Sequence, residues 1–200
     1  MTFVHATLRQ LGAAFHTLLA MTVIVGLLYP LAVWAIGQVA FRQQAAGSLI
    51  ERDGQVVGSR LIGQNFDGPE WFHPRPSAAG WAGYDGLASS GSNLGPNNPT
   101  LATLVEDRKA HVAKENGVAE AAVPPDAVTA SSSGLDPHIS PGYAEIQVRR
   151  VAGERGLSPA EVHQLVAQHT ERPSLGFLGE PGVNVVALNL ALAQAEAGGD

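Results

Sequence analysis

Cysteine is absent from this 200-residue chain. Its absence removes disulfides, thiolate metal sites, thiol nucleophiles and cysteine-borne lipid anchors together. Basic residues are scarce as well: 12 Lys and Arg stand against 18 Asp and Glu, a formal charge of −6. Phosphate backbones are gripped by clustered Lys and Arg. Here only Arg108–Lys109 and Arg149–Arg150 are paired, each among acidic neighbours. Both pairs read as solvated helix faces, and nucleic acid is excluded as a partner. There is no Gly-x-Ser-x-Gly elbow, no His-Glu-x-x-His zinc helix and no Asp-Lys-Thr-Gly phosphorylation loop. No catalytic and no metal-binding residue is assigned.

Charge is missing altogether from Gln10 to Phe41. A bilayer core about 30 Å thick needs roughly 20 apolar residues in helix, and this stretch exceeds that. A cleaved signal peptide has an apolar core of only about 7–15 residues before a small-x-small site. The run is too long for one, and Trp34, Gln38 and Phe41 crowd the cleavage position. The expectation is a membrane helix over 11–41, between a cytoplasmic tail (1–10) and an extracytoplasmic α+β domain (42–194) that ends in a flexible tail (195–200). Arg9 flanks the span without acids, whereas Arg42 is soon followed by Glu51 and Asp53. That slight bias keeps the N-terminus in the cytoplasm.

Within the span, Thr22, Gly26, Val33 and Gly37 fall on one stripe at helical spacing, where small residues admit a neighbouring helix. Pro30 lies on the same stripe and predicts a kink, because its missing N–H leaves a carbonyl unpaired. His16 is the span's one ionisable side chain and sits near its N-terminal end, as an interfacial histidine would. A single helix cannot enclose a pore, so transport chemistry has to come from partners.

Beyond the span, Gln55–Ile62 reads as a strand bounded by Asp53-Gly54 and Gly63. The stretch from Gly63 to Pro99 is dense in Gly, Pro, Ser and Asn, yet holds Phe66, Trp71, Phe72, Trp81 and Tyr84. Disorder avoids aromatics, and long irregular segments with their own aromatic packing are usually docking loops. Phe72-His73-Pro74-Arg75-Pro76-Ser77 presents a recognition edge on an extended backbone. Asn98-Pro99 caps a helix stopped by Asn116-Gly117, and Ser140-Pro141 starts another ending near Gly156. Ser158-Pro159-Ala160-Glu161 is a capping box opening a third. Ala127–Ala130 reads as a short strand, and Asn184 to about Gln194 as a final helix. Two polar clusters read as turns: Ser92-Asn93-Leu94-Gly95 lacks the Gly-Lys-Ser/Thr of a phosphate loop. Asp136-Pro137-His138 lacks further ligands and fits an Asp side-chain cap.

These motifs stand in a recognisable order. GLLYPL (Gly26–Leu31), VGSRLIGQNF (Val57–Phe66), FHPRPSA (Phe72–Ala78), SGSNLGP (Ser90–Pro96), VTASSSGLDPHISP (Val128–Pro141) and LGEPGVNVVALNLAL (Leu178–Leu192) span most of the chain. Together they resemble the KdpC family, the small C subunit of the Kdp potassium-transporting P-type ATPase. Ala46 and Ser132 depart from the family pattern, which often has Asn and Gly there, and affect only loop detail. The resemblance implies a complex that moves potassium across the bacterial inner membrane. Its implied partners are a channel-like subunit as main contact, an ATP-hydrolysing P-type subunit, a very small single-helix subunit and membrane lipid. It implies a non-catalytic accessory role in assembly or stabilisation. A second family view is a catalytic chaperone that raises ATP affinity through a glutamine, matched here to Gln147 or alternatively Gln164. An exported domain cannot reach cytoplasmic ATP, which favours the structural role.

Overall fold

The computed structural model describes residues 2–52 and 54–197. Asp53, expected in a turn, and residues 198–200 of the expected tail lie outside them. The chain divides into two compact units, residues 1–48 and 49–200.

The first unit is one long helical rod with a short appendix. Helix α1 (Thr2–Val23) passes through a π-helical segment (Ile24–Leu28) into α2 (Tyr29–Ala40), followed by the short α3 (Arg42–Ala45). The helix thus begins well before Leu11, where the sequence reading placed its start. Phe3–Ala40 is long and apolar enough to cross a membrane. At about 1.5 Å per residue it is roughly 57 Å long, about twice a hydrocarbon core. The π segment answers the proline. Pro30 has no N–H to give Gly26, and its ring would strike that carbonyl. At the residue just before it, the Tyr29 N–H donates to Ile24 O, a five-residue step that widens the helix before the ring enters.

The second unit mixes helices with two small sheets. Strands β1 (Leu49–Arg52) and β2 (Gln55–Ser59) form an antiparallel hairpin with an irregularity between Ile50 and Glu51. An irregular segment of almost forty residues follows, up to α4 (Pro99–Asn116). Asn98 caps α4 by accepting from the Thr100 N–H at 2.9 Å, and Gly117 closes it in the left-handed conformation. Two 3₁₀ turns (Glu120–Ala122 and Pro125–Ala127) lead to β3 (His138–Ile139) and α5 (Pro141–Arg155). Ser140 caps α5 through the Tyr143 N–H. Helix α6 (Pro159–Gln168) opens with the expected Ser158–Glu161 capping box. Strands β4 (Thr170–Glu171) and β5 (Gly182–Asn184) precede α7 (Val185–Ala197), and the second sheet has the order β3-β5-β4, all antiparallel.

The core is drawn from α4, the second 3₁₀ turn, β3, α5, α6, β5, α7 and the loops between them, and none of its buried residues comes from β1, β2 or β4. On α5 the buried residues Tyr143, Ala144, Gln147, Val148, Val151 and Ala152 recur at helical spacing. They meet Val162 of α6, Val183 of β5, and Leu188 and Leu192 of α7, all fully buried. Each such side chain contributes about 1.5–3 kcal/mol. The strand expected at Ala127–Ala130 is not formed. Pro124 and Pro125 fix φ near −65°, and Ala127, Val128 and Thr129 N–H groups turn back onto Pro124 and Pro125 carbonyls instead of pairing with a strand.

Candidate functional site

The aromatic-rich segment is held in one shape by hydrogen bonds from distant side chains. Phe72 is fully buried, so it anchors the segment from within and offers no docking surface. Its N–H donates to Asn189 Oδ1 at 2.9 Å, and Asn189 Nδ2 donates back to Phe72 O at 2.9 Å. The next residue is held in the same way from another helix. His73 N–H donates to Gln147 Oε1 at 2.7 Å, and Gln147 Nε2 donates to His73 O at 3.2 Å. A side-chain carboxamide carries one donor edge and one acceptor edge, like a peptide group. Gln147 of α5 and Asn189 of α7 therefore pair with consecutive residues as two flanking strands would. Pro74 and Pro76 follow, with no N–H to satisfy.

The rest of the motif also faces inward. Arg75 donates to Asp136 Oδ2 at 3.1 Å and to Thr129 O at 3.4 Å. Ser77 Oγ donates to Gly134 O at 2.6 Å and accepts from the N–H groups of Ala79 and Tyr84. That saturates a hydroxyl. Tyr84, at φ 55°, is pinned at both ends, because its hydroxyl also donates to Arg75 O at 2.8 Å. Asn93 is at φ 53°, in the left-handed region, within a stretch of irregular backbone. Trp71 is half-buried between the Phe66 ring and the Arg155 guanidinium, which lies 4.1 Å from its ring centre. What the segment turns outward is Trp81 and Leu87, both fully exposed.

Asp136 is an Asx cap, as its spacing predicts, and more. Its Oδ1 accepts from the His138 N–H at 3.0 Å and lies 3.5 Å from His138 Nδ1. Across the sheet, His138 Nε2 lies 3.3 Å from Glu171 Oε2. The result is a row of alternating charge, Arg75–Asp136–His138–Glu171. Burial pushes the Asp136 carboxyl up, but the His138 side-chain and backbone hydrogen bonds and the Arg75 charge outweigh it and leave it below its ordinary value. His138 is raised, chiefly by its bond to Asp136 and then, against burial, by the charge of Glu171. Among the described residues no group of three His, Cys, Asp or Glu is placed to hold a metal. Glu171 and Arg75 were invisible as members of this row, since nothing local in the sequence couples positions so far apart.

The two glutamines differ. Gln147 is fully buried and also accepts from Arg150 Nη2 at 2.8 Å, while Gln164 is exposed on α6. Arg150 corrects the reading of Arg149–Arg150 as a solvated pair. Arg149 is exposed, but Arg150 reaches inward to Pro69 O, Trp71 O and Asn116 Oδ1. Of the other pair, Arg108 donates to Val128 O at 3.0 Å. Beside the His73 clamp lies an open cleft of about 520 Å³ between the 65–77 segment and α4. Its walls include Glu115, whose carboxyl is held below the usual range first by a hydrogen bond from His73.

On the apolar helix Thr22, Gly26, Pro30 and Val33 are exposed, and Gly37 is partly covered by Ala45, whose Cβ would sit 3.8 Å from a Cβ added there. His16 Nδ1 lies 2.7 Å from Gly12 O of its own helix.

Comparison with known proteins matches residues 11–194 to the family described as KdpC, K+-transporting ATPase, c chain. The potassium-transporting ATPase KdpC subunit of Kineococcus radiotolerans is 56% identical over 188 residues, covering 94% of this chain and 95% of that one. The KdpC subunit of Beijerinckia indica is 55% identical over 185 residues, 92% of this chain and 93% of its own. That of Mycobacterium tuberculosis H37Rv is 55% identical over 185 residues, 92% and 97%.

Proposed function

The chain belongs to the KdpC family, a subunit of the potassium-transporting ATPase, and on that premise we propose that it is a non-catalytic accessory subunit that holds the complex together. One observation carries this reading. The polar side chains Arg75, Ser77, Asp136 and Asn189 of the motifs, together with Tyr84 and Gln147 outside them, place their hydrogen bonds inside the domain. They shape a long loop that displays Trp81 and Leu87. That is how a docking platform is built, with a rigid frame and an apolar contact at its rim.

In this reading the apolar helix crosses the bacterial inner membrane once, with its N-terminus in the cytoplasm and the domain from Leu49 outside. The stripe Thr22, Gly26, Pro30, Val33 and Gly37 packs against a helix of a partner. The main partner is the channel-like potassium subunit, with the P-type ATPase subunit and the very small single-helix subunit in the same assembly. The chain takes no cofactor of its own, and potassium passes through its partners. The competing role, raising ATP affinity through a glutamine, gains nothing from Gln147, which is shut inside the core.

The test is to purify the complex through a tag on the channel-like subunit, with and without this chain, and with Gln164→Ala in it. The assembly role predicts that the ATPase subunit no longer co-purifies when the chain is missing. It also predicts that Gln164→Ala leaves the KM for ATP unchanged. An intact complex without the chain, or a raised KM in an intact Gln164→Ala complex, supports the ATP-affinity role and rejects this one.

A further inference from the structure

The second sheet carries a feature that the assembly role does not use. His138 on β3 and Glu171 on β4 are not neighbours in the sheet, because β5 lies between them. The imidazole reaches Glu171 by passing over Gly182 of β5. A Cβ built there would come within 3.3–3.5 Å of His138 Cβ, Cδ2 and Cγ. Glycine therefore leaves the lane in which His138 spans the sheet. Beyond β4 the chain forms a small hairpin closed by the Ser174–Leu178 bridge, with Leu175, Phe177 and Leu178 exposed. Strand β4 is only two residues long and joins the sheet by pairing with Gly182 and Val183.

We propose that His138 is a proton-operated clamp, which in its protonated form ties β4 and the hairpin after it to Asp136 across β5. The argument rests on the imidazole's two nitrogens. Each faces a carboxylate: Nδ1 lies 3.5 Å from Asp136 Oδ1 and Nε2 lies 3.3 Å from Glu171 Oε2. Only the imidazolium carries a proton on both nitrogens, and the neutral ring must present a lone pair to one of the two acceptors. Asp136 is held independently by Arg75 and by the His138 N–H. Glu171 is the more exposed partner, at 52% against 29% for Asp136. Loss of the proton therefore releases Glu171. His138 Nε2 is cut off from solvent and has no hydrogen-bond partner, so Glu171, 3.3 Å away, meets it as an ion pair. The charged groups around the clefts beside it are Glu171, Arg172 and Glu180 on the hairpin side and Asp126, Asp136 and Arg75 on the other. Four carboxylates against two guanidiniums favour the charged ring. Release on deprotonation frees a hairpin that carries three exposed apolar side chains.

The test is hydrogen exchange on the full chain in detergent at pH 5.5 and pH 8, corrected for the intrinsic pH dependence of exchange. It compares wild type with His138→Gln and Glu171→Gln. Protection in the 170–182 segment of the wild type is expected to fall by about tenfold at the higher pH, the scale of one charge-assisted pair. Both variants should show the weaker protection at both pH values, with α5 protection unchanged. Wild-type protection that does not vary with pH overturns the proposal. So does a Glu171→Gln variant that keeps the wild-type response, and this half-exposed position carries the test should His138→Gln unfold.

Discussion

Gln147 and His73 are 74 positions apart and joined by two hydrogen bonds, one in each direction between a side-chain amide and a backbone peptide. Removing that amide leaves a half-buried N–H and C=O of His73 unpaired and takes an acceptor from Arg150. Gln147→Ala is expected to cost about 2–4 kcal/mol, from the orphaned groups and the cavity. Thermal unfolding of the chain in detergent measures it, and a loss below about 0.5 kcal/mol would show that the pairing carries no weight.

Ser77 holds three strands of irregular chain with one hydroxyl. Ser77→Ala strips the donor from Gly134 O and the acceptor from two N–H groups. A destabilisation of about 2 kcal/mol is expected. Exchange of the Tyr84 amide should quicken with it, and an unchanged Tyr84 amide would contradict the assignment.

Gly134 sits at φ 67°, and a Cβ there would lie 2.5 Å from Ser90 O and 2.7 Å from Ala79 N. All the close atoms are backbone or a short side chain, so nothing can swing aside. Gly134→Ala should cost more than about 2 kcal/mol. Gly117 has a similar φ but open space around a Cβ, so Gly117→Ala should cost about 1 kcal/mol. Equal effects in the two melting curves would refute the steric account.

The charged row and the separate His73–Glu115 pair set a pH window. Glu115 and Asp136 have folded values below their unfolded ones. Their contribution is full above about pH 4.5 and is lost as pH falls through the folded values. His138 is raised, so its contribution is full below about pH 6.5 and is lost as pH climbs through its folded value. Melting temperature should therefore peak between these limits. Glu115→Gln should flatten the acid side and His138→Gln the alkaline side, each by about 1 kcal/mol. A variant with the wild-type profile on its own side would disprove its assigned part.

The helices were legible in the sequence because their signals are local. Asn98-Pro99, Ser140-Pro141 and the Ser158–Glu161 box start α4, α5 and α6 where their caps place them, and Gly117 and Gly156 end the first two. The strands β3, β4 and β5 are two or three residues long, too short to show a period of two. Val128-Thr129 looked like strand by residue type, but the proline pair before it dictated a turn. The frame of the aromatic loop was hidden for another reason. Its partners, Gln147 for His73 and Asn189 for Phe72, lie 74 and 117 positions away. A carboxamide that mimics a peptide leaves no local mark.

The assembly role is tested most directly on the membrane helix. Gly26 has only Thr22 Cγ2, at 3.9 Å, near a Cβ added there, so Gly26→Leu leaves the isolated chain intact and alters only what a partner meets. The measurement is recovery of this chain with a tagged channel-like subunit, alongside the helical content and melting temperature of the chain alone. The account predicts that Gly26→Leu weakens association by about tenfold or more, some 1.4 kcal/mol, while the isolated chain melts as wild type does. Recovery equal to wild type, with potassium-stimulated ATP hydrolysis unchanged, would contradict it.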